Sequence, residues 1–216
     1  MTTAPMSGRK AQAARNDELI LTAARAVFTA DPAAPISAVA ERAGVGISAL
    51  YRRYPSKEAL LRKLCGDGLK LYIEVARRAV DDEGDPWEVF AAYLRGIVDA
   101  DTSSLTIRLA GTFEPTEELF RDSALASELA VRAHRRAVEA GVLRPDVTPA
   151  DLALVFEQLA SIKLGDAART AELRHRYLTL IMDGLRVPPS RSPLPGPPPG
   201  EGELERRWVP DGRGKG

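Results

Sequence analysis

Several features that mark particular classes of protein are scarce or absent in this sequence of 216 residues. A single cysteine, Cys65, excludes an intramolecular disulfide framework and fits a reducing compartment. The chain has no run of about 18 or more apolar residues, which a membrane-spanning helix needs, and its first residues lack the apolar segment of a secretion signal. We therefore expect a cytoplasmic protein that does not enter a membrane.

Residues typical of catalytic and metal sites are equally few. The two histidines, His134 and His175, are isolated, and no group of His, Cys and carboxylate residues has metal-ligand spacing. The sequence contains neither a Gly-x-Ser-x-Gly motif nor a phosphate-binding loop. We therefore expect no enzymatic activity, no cofactor and no metal ion.

The net charge of zero conceals a difference between the two ends of the chain. Residues 1–80 contain 13 Lys and Arg against 7 Asp and Glu, a net charge of +6. Residues 81–186 contain 12 against 19, a net charge of −7. A basic N-terminal third followed by an acidic body indicates that the first part approaches a polyanion.

Helical periodicity dominates the chain, and no stretch shows the alternation typical of a β-strand. We expect an all-α protein with nine helices, the first beginning near Asn16 and the last near Thr170. Polar caps followed by proline, as in Asp85-Pro86 and Thr148-Pro149, mark two of the helix starts. The predicted parts are a flexible basic arm (1–14), a three-helix domain (15–61), a larger helical domain (62–186) and a disordered tail rich in Pro and Gly (187–216).

Two glycines, Gly66 and Gly68, lie inside the predicted fourth helix, where each costs up to about 1 kcal/mol relative to alanine. One hypothesis is that they form a hinge between the two domains. The alternative is that small residues merely fit a tight packing contact.

Residues 39–51 have the pattern of two short helices joined by a tight turn. Gly44 is a natural end for the first helix, and the second begins near Ile47 and stops before Pro55. On the exposed side of the second helix we expect groups that can pair with base edges and phosphates in a DNA major groove. These are Ile47, Ser48, Arg52 and Arg53, with Tyr51 and Tyr54 beside them.

A turn of this kind also occurs in proteins that never bind DNA, and Tyr51 taken alone could be a half-buried core residue. The additional residues Arg52, Arg53, Tyr54 and Lys57, within a basic third of the chain, favour DNA binding.

Residues 39–60, with Ala-Gly-Val, Leu-Tyr-Arg-Arg-Tyr and Pro-Ser-Lys-Glu-Ala-Leu in order, resemble the DNA-binding signature of the TetR family. The resemblance covers about residues 15–61, and the nine-helix layout is similar to the architecture of the family. It implies that 15–61 is a helix-turn-helix DNA-binding domain and 62–186 a ligand-binding and dimerisation domain. The implied function is that of a sequence-specific transcriptional regulator, in the family's usual mode a repressor released from a palindromic operator by a small, largely apolar effector.

The same resemblance implies roles for individual residues. Ile36 and Ser37, at the start of the second helix, would lie against the DNA backbone, and Lys57 would meet a phosphate. The recognition surface would consist of Ile47, Ser48, Tyr51, Arg52 and Arg53. The sequence departs from the family pattern at Pro35, where a Ser or Thr cap is usual.

The C-terminal domain has enough apolar and aromatic side chains to line an effector pocket between helices. The candidates are Trp87, Phe90, Tyr93, Leu94, Ile97, Leu105, Arg108, Phe113 and Glu157. For each of them separately, a place in a filled core is the simpler interpretation, and Arg108 and Glu157 could equally form surface ion pairs.

The last two predicted helices are apolar on more than one side, so they must cover both their own core and a partner. We expect a homodimer joined through a four-helix interface. The predicted interface residues are Leu152, Val155, Phe156, Leu159, Leu178, Ile181, Met182 and Leu185. The alternative function is that of a helical protein–protein adaptor that retains the helix-turn-helix but does not use it on DNA.

Overall fold

The structure, a computed structural model, describes residues 8–187, 192–200 and 202–208. Over these residues the chain is helical and forms no β-strand, so the all-α prediction is confirmed. The α-helices are α1 (Gly8–Ala30), α2 (Ile36–Ala43), α3 (Ile47–Arg53), α4 (Lys57–Asp81), α5 (Pro86–Ala100), α6 (Thr102–Leu109), α7 (Glu117–Glu139), α8 (Pro149–Ser161) and α9 (Ala167–Leu185). A short 3-10 helix covers Glu205–Trp208, and none of the described helices has both the length and the apolarity needed to cross a membrane.

The chain forms two compact units, and the division between them falls inside α4, after Leu64. In the first unit, α1 packs against α2, and α2 packs against α3. Gly44 ends α2 in the left-handed conformation (φ 66°) and its N–H donates to Glu41 O, which lets the chain turn directly into α3. Phe28, Val39 and Leu50 are fully buried where these helices meet.

In the second unit, α5 lies against α6, α7, α8 and α9 and carries much of the core. Its start is the predicted one, because the Asp85 carboxylate accepts hydrogen bonds from the backbone N–H groups of Trp87 and Glu88. Thr116 caps α7 through Leu119 N, and Thr148 and Asp151 form a reciprocal capping box at α8.

The predicted start of the first helix near Asn16 is wrong, because α1 begins at Gly8. The extra residues are mostly Ala, Gln, Arg and Lys, which favour helix even where no apolar face guides it. Of the predicted flexible arm, residues 8–14 are therefore helical, and residues 1–7 lie outside the described residues.

Part of the predicted disordered tail also has a defined conformation. The Trp208 ring at the end of the 3-10 helix packs edge-on against the buried ring of Phe113, with 6.2 Å between the centroids. Proline blocks regular helix in this tail, but a single aromatic side chain still has apolar surface to bury. Residues 188–191, 201 and 209–216 lie outside the described residues.

Candidate functional site

The outward face of α3 carries four of the predicted DNA-contacting residues. Ile47, Ser48, Tyr51 and Arg52 are exposed, with 47% of Tyr51 accessible, while Leu50 is fully buried and holds the helix to the unit. The face therefore offers an apolar side chain, two hydroxyls and a guanidinium, which are the groups that read base edges and phosphates.

Arg53, at the end of α3, is held by a carboxylate of α1. Its Nε and Nη2 donate to the two carboxylate oxygens of Asp17 at 2.8 and 2.9 Å, and the buried Tyr54 hydroxyl donates to Asp17 at 2.6 Å. The hydrogen bond from Arg53 holds the pKa of the Asp17 carboxyl below its usual value, against the opposing effect of burial. The same bond raises the pKa of Arg53, so both groups carry their charges.

Lys57 turns inward. Its ammonium donates to Pro32 O at 2.7 Å and to Ala34 O at 2.8 Å, and it lies 5.1 Å from the centre of the buried Phe28 ring. Lys57 therefore closes the turn between α1 and α2 by donating to two of its backbone carbonyl groups.

The start of α2 presents one exposed side chain and one buried one. Ile36 is buried in the core of the unit, whereas Ser37 is exposed. Pro35 precedes the helix without any side-chain cap, so the first backbone N–H groups of α2 have no side-chain acceptor.

In the second unit, the apolar residues predicted to line a pocket lie in the interior. Trp87, Phe90, Tyr93, Leu94, Ile97, Leu105 and Phe113 are all buried. The rings of Trp87, Phe90, Tyr93 and Phe156 follow one another with centroids 5.9 to 6.4 Å apart. Of the two polar candidates, Arg108 is exposed and Glu157 is half-buried.

Two polar arrangements inside this core were not found from the sequence. The hydroxyls of Tyr72 and Tyr93 are hydrogen-bonded at 2.8 Å, and burial raises the pKa of both phenols. Arg174 is buried and donates to Asp101 at 2.8 Å and to Ala160 O at 2.8 Å. Each arrangement joins residues that lie far apart in the chain, so no local sequence motif could predict it.

Within the part of the chain that the structure describes, a small cavity and a larger groove adjoin the core. A cavity of about 10 Å³, room for one water molecule at most, lies beside Ile97, Phe156 and Arg174. A groove of about 370 Å³ opens beside Phe90 and is lined by residues of α4, of α5 and of the C-terminal half of α7. Its lining residues are Ala79, Pro86, Val89, Phe90, Ala133, Arg136, Ala137, Glu139 and Ala140.

Most residues predicted for the dimer interface are part of the core of the protomer. Leu152, Phe156, Leu159, Leu178, Met182 and Leu185 are buried, and Val155 and Ile181 are partly buried against the same cluster. The large apolar side chains that α9 exposes to solvent are those of Tyr177, 48% exposed, and Leu180, 60% exposed. Among the described residues, no group of three or more His, Cys, Asp or Glu could hold a metal ion.

Helices α2 and α3, which are joined by a turn with Gly44 in the left-handed conformation, form a helix-turn-helix whose second helix is exposed. This motif defines a class of proteins that insert the second helix into the major groove of DNA. A sequence profile described as bacterial regulatory proteins of the TetR family matches residues 20–64. A second profile, described as the C-terminal domain of SbtR-like transcriptional regulators, matches residues 85–187. Together the two matches extend over more than half of the chain. The protein belongs to the TetR family of DNA-binding transcriptional regulators, which are not enzymes.

Solved structures of the family share the fold. A TetR regulator from Mycobacterium vanbaalenii is 27% identical, with a TM-score of 0.52 over 82% of this chain and 99% of that one. The ketosteroid regulator KstR2 of Mycobacterium tuberculosis is 20% identical, with a TM-score of 0.59 over 81% and 96% of the two chains. LfrR from Mycobacterium smegmatis, solved with proflavine, is 21% identical, with a TM-score of 0.53 over 76% and 94%. No curated protein matches the sequence.

Proposed function

We propose that this regulator reads the sequence of double-stranded DNA with the outward face of α3. The observation that carries the proposal is that Ile47, Ser48, Tyr51 and Arg52 are exposed together on the second helix of the helix-turn-helix. We retain residues 15–61 as the DNA-binding domain and 62–186 as the effector and dimerisation domain.

The contacts of the free protein refine the roles of the other candidates. Ser37 and the uncapped N–H groups at the start of α2 are suited to a backbone phosphate. The side chains of Ile36, Tyr54 and Lys57 are committed to the interior of the unit, so we assign them to its stability. Arg53 keeps 57% of its side chain exposed and is assigned to a phosphate.

The test is selection of duplexes from a random library by the purified protein, followed by affinity measurements across salt concentrations. We expect a pseudo-palindromic duplex whose binding weakens with salt. Arg52→Ala should lower affinity about tenfold, which corresponds to one good base or phosphate contact of about 1.4 kcal/mol. Arg95→Ala, which removes an equal charge from an exposed position of α5, is the control and should leave affinity within about twofold. If the selection yields no preferred DNA sequence, the alternative function of a protein–protein adaptor is favoured instead.

We infer further that the protein represses transcription and leaves its operator when a small, largely apolar effector binds the second unit. The groove beside Phe90 supports this, because its volume of about 370 Å³ lies within the usual range for ligand pockets of about 300–1,000 Å³. The ketosteroid regulator and the proflavine complex of LfrR indicate the kind of molecule to try.

Proflavine is a suitable probe because its own fluorescence reports binding. Ala140→Leu extends a side chain into the groove and should weaken proflavine binding about tenfold, since the ligand and the new side chain compete for one space. Ala124→Leu, at an exposed position of α7 outside the groove, is the matched control. If both variants bind proflavine with equal affinity, the effector site does not lie in this groove.

We also propose a homodimer, with α9 as the contact helix. One side of α9 faces away from the buried Leu178 and Met182. The residues along this side, at helical spacing, are Leu173, Tyr177, Leu180 and Gly184. A two-fold dimer would place two recognition helices about 34 Å apart, one turn of DNA, and so explain a palindromic operator. A regulator of this kind works in the cytoplasm, where the chromosome is.

A further inference from the structure

Asp17 is an acidic side chain of α1 that the structure ties to the recognition helix. Its carboxylate accepts two hydrogen bonds from Arg53 and one from Tyr54, all between 2.6 and 2.9 Å. The Asp17 side chain is 20% exposed, while Arg53 remains 57% exposed. The carboxylate is therefore set behind the guanidinium, and the guanidinium faces solvent.

The hydrogen bonds leave one part of Arg53 available. Nε and Nη2 are committed to Asp17, and the guanidinium also lies 5.6 Å from the centre of the Tyr54 ring. Nη1 forms no hydrogen bond with any described residue. Because the guanidinium is planar and rigid, fixing two of its nitrogens also fixes the direction in which the third points.

We propose that Asp17 is a positioning residue for DNA binding, which holds Arg53 so that its free Nη1 donates to a phosphate of the operator. The inference rests on the proposed function, in which Arg53 contacts a phosphate. A side chain that is held in place before binding loses less conformational entropy on binding than a freely rotating arginine does. Asp17 never touches DNA and acts only through Arg53.

If Asp17 has this role, neutralising it changes the affinity for operator DNA in the direction opposite to the one that simple electrostatics predicts. Removing a negative charge from a DNA-binding surface ordinarily strengthens binding to the polyanion. If Asp17 positions Arg53, its neutralisation weakens binding to the operator instead. The sign of the change separates the two explanations, whatever its size.

The experiment compares Asp17→Asn with Glu18→Gln, using the duplex that the unmodified protein selects from a random library. Glu18 is exposed on the same helix and has no ion pair with any described residue, so it is a matched control for the removal of charge. We expect Asp17→Asn to bind about tenfold more weakly and Glu18→Gln to bind as well as the unmodified protein or better. The slope of log K against log salt should become shallower by about 0.9 for each phosphate that the variant no longer neutralises.

A double-mutant cycle then shows whether Asp17 acts through Arg53. In the Arg53→Ala background, Asp17→Asn should no longer weaken operator binding, because the side chain that it positioned is gone. Arg53→Lys is a second variant that keeps the charge but not the planar donor fork, and it should lose affinity as Asp17→Asn does. Circular dichroism and thermal melting of each variant show whether the protein is folded under the binding conditions.

Three results would overturn the inference. Operator affinity of Asp17→Asn equal to or above that of the unmodified protein excludes a positioning role. Full affinity of Arg53→Lys, which is informative even where Asp17→Asn fails to fold, excludes a need for a fixed guanidinium. If the unmodified protein selects no duplex, the proposed function fails and this inference fails with it, an outcome distinct from the other two.

Discussion

Basic side chains in the first unit divide into those that hold the unit together and those that face solvent. Lys57 donates to two backbone carbonyls, and Arg53 is paired with Asp17, whereas Arg52 forms no ion pair with any described residue. A sequence pattern treats the three alike, because all belong to one basic stretch. Their contacts predict different responses to substitution.

Replacing Lys57 with methionine keeps the aliphatic stem and removes both hydrogen bonds. We expect the free energy of unfolding to fall by about 1–3 kcal/mol, because Pro32 O and Ala34 O lose their donor in a partly buried turn. Urea denaturation followed by circular dichroism measures the change. Arg52→Ala should alter stability by less than about 0.5 kcal/mol, and an equal loss in both variants would contradict the assignment of Lys57 to the fold.

The Asp17 pair also predicts a dependence of stability on pH. Because the pKa of Asp17 is lowered on folding, chiefly by the hydrogen bond from Arg53, its contribution to stability is complete well above the unfolded pKa of about 3.8. The contribution disappears as the pH falls through the lower folded pKa. The charged or titratable groups that act on this carboxyl are Arg53, Tyr54 and Lys63.

The measurement is the free energy of unfolding between pH 2 and 6 for the unmodified protein and Asp17→Asn. We expect the difference between the two proteins to be constant above about pH 5 and to shrink toward lower pH. A difference independent of pH over this whole range would show that the carboxylate charge does not stabilise the unit.

At the scale of helices and turns, two glycines differ in whether the structure can accept a Cβ atom at their position. Gly44 has φ 66°, a conformation in which a Cβ is strained even though no other atom lies within 4 Å. Gly68 lies inside the continuous α4, and a Cβ there would meet Leu105 and Thr102 at 3.6 and 3.7 Å, ordinary contact distances. The packing therefore tolerates a methyl group at Gly68, while the backbone resists one at Gly44.

Alanine substitutions at these two positions should change stability in opposite directions. We expect Gly44→Ala to lower the free energy of unfolding by about 1–2 kcal/mol, the cost of the left-handed conformation. Gly68→Ala should raise it by up to about 1 kcal/mol, through lower entropy of the unfolded chain and better helix propensity. Chemical denaturation of both variants provides the comparison, and destabilisation by Gly68→Ala would show that the contact is tighter than these distances imply. Whether Gly66 and Gly68 act as a hinge in induction stays a hypothesis.

Helix ends could be predicted where a side chain supplies the signal. Asp85, Thr116 and Thr148 are caps in the sequence and in the structure, because capping depends on residues only two or three positions apart. The start of α1 at Gly8 lacked such a signal. The last helix begins after Asp166 rather than near Thr170, because Asp166 accepts a hydrogen bond from Arg169 N and caps it earlier.

At the scale of the whole molecule, the apolar residues of α9 divide between a core and an exposed stripe. Both sides of the helix carry leucine and other apolar residues, so the sequence indicates that two faces need cover but not which face meets the protomer. Leu178 and Met182 face inward, and Tyr177 and Leu180 face outward. The predicted interface residues were for this reason mostly core residues.

A charge on the exposed stripe tests the dimer without disturbing the core. Leu180→Glu should shift the protein from dimer to monomer, because it places a charge without a partner in an apolar interface. Sedimentation velocity at micromolar concentration measures the shift. Val131→Glu, at an exposed position of α7, is the control and should leave the mass unchanged, whereas a dimer that survives Leu180→Glu would move the interface away from this stripe.

The functional site was partly predictable for a related reason. The outward residues Ile47, Ser48, Tyr51 and Arg52 follow from a local pattern, which fixes one side of a short helix. Asp17 could not be found in this way, because it lies in another helix, and only the packing of α1 brings it to Arg53. Residues that are close in the sequence and lie on one face of a helix can therefore be predicted, whereas contacts between different helices depend on the tertiary structure.

The chain segments on either side of the α8–α9 pair are joined by an isolated antiparallel bridge between Leu143 and Arg186. Arg144 N donates to Leu185 O at 3.0 Å, and Val187 N donates to Val142 O at 3.3 Å. Each of these amides can exchange its hydrogen with solvent only when its bond breaks, and the two bonds belong to one bridge. In a deuterium-exchange experiment the amides of Arg144 and Val187 should therefore have equal protection factors once their different intrinsic exchange rates are taken into account, and this common value gives the free energy of opening the bridge that joins the two ends of the α8–α9 segment.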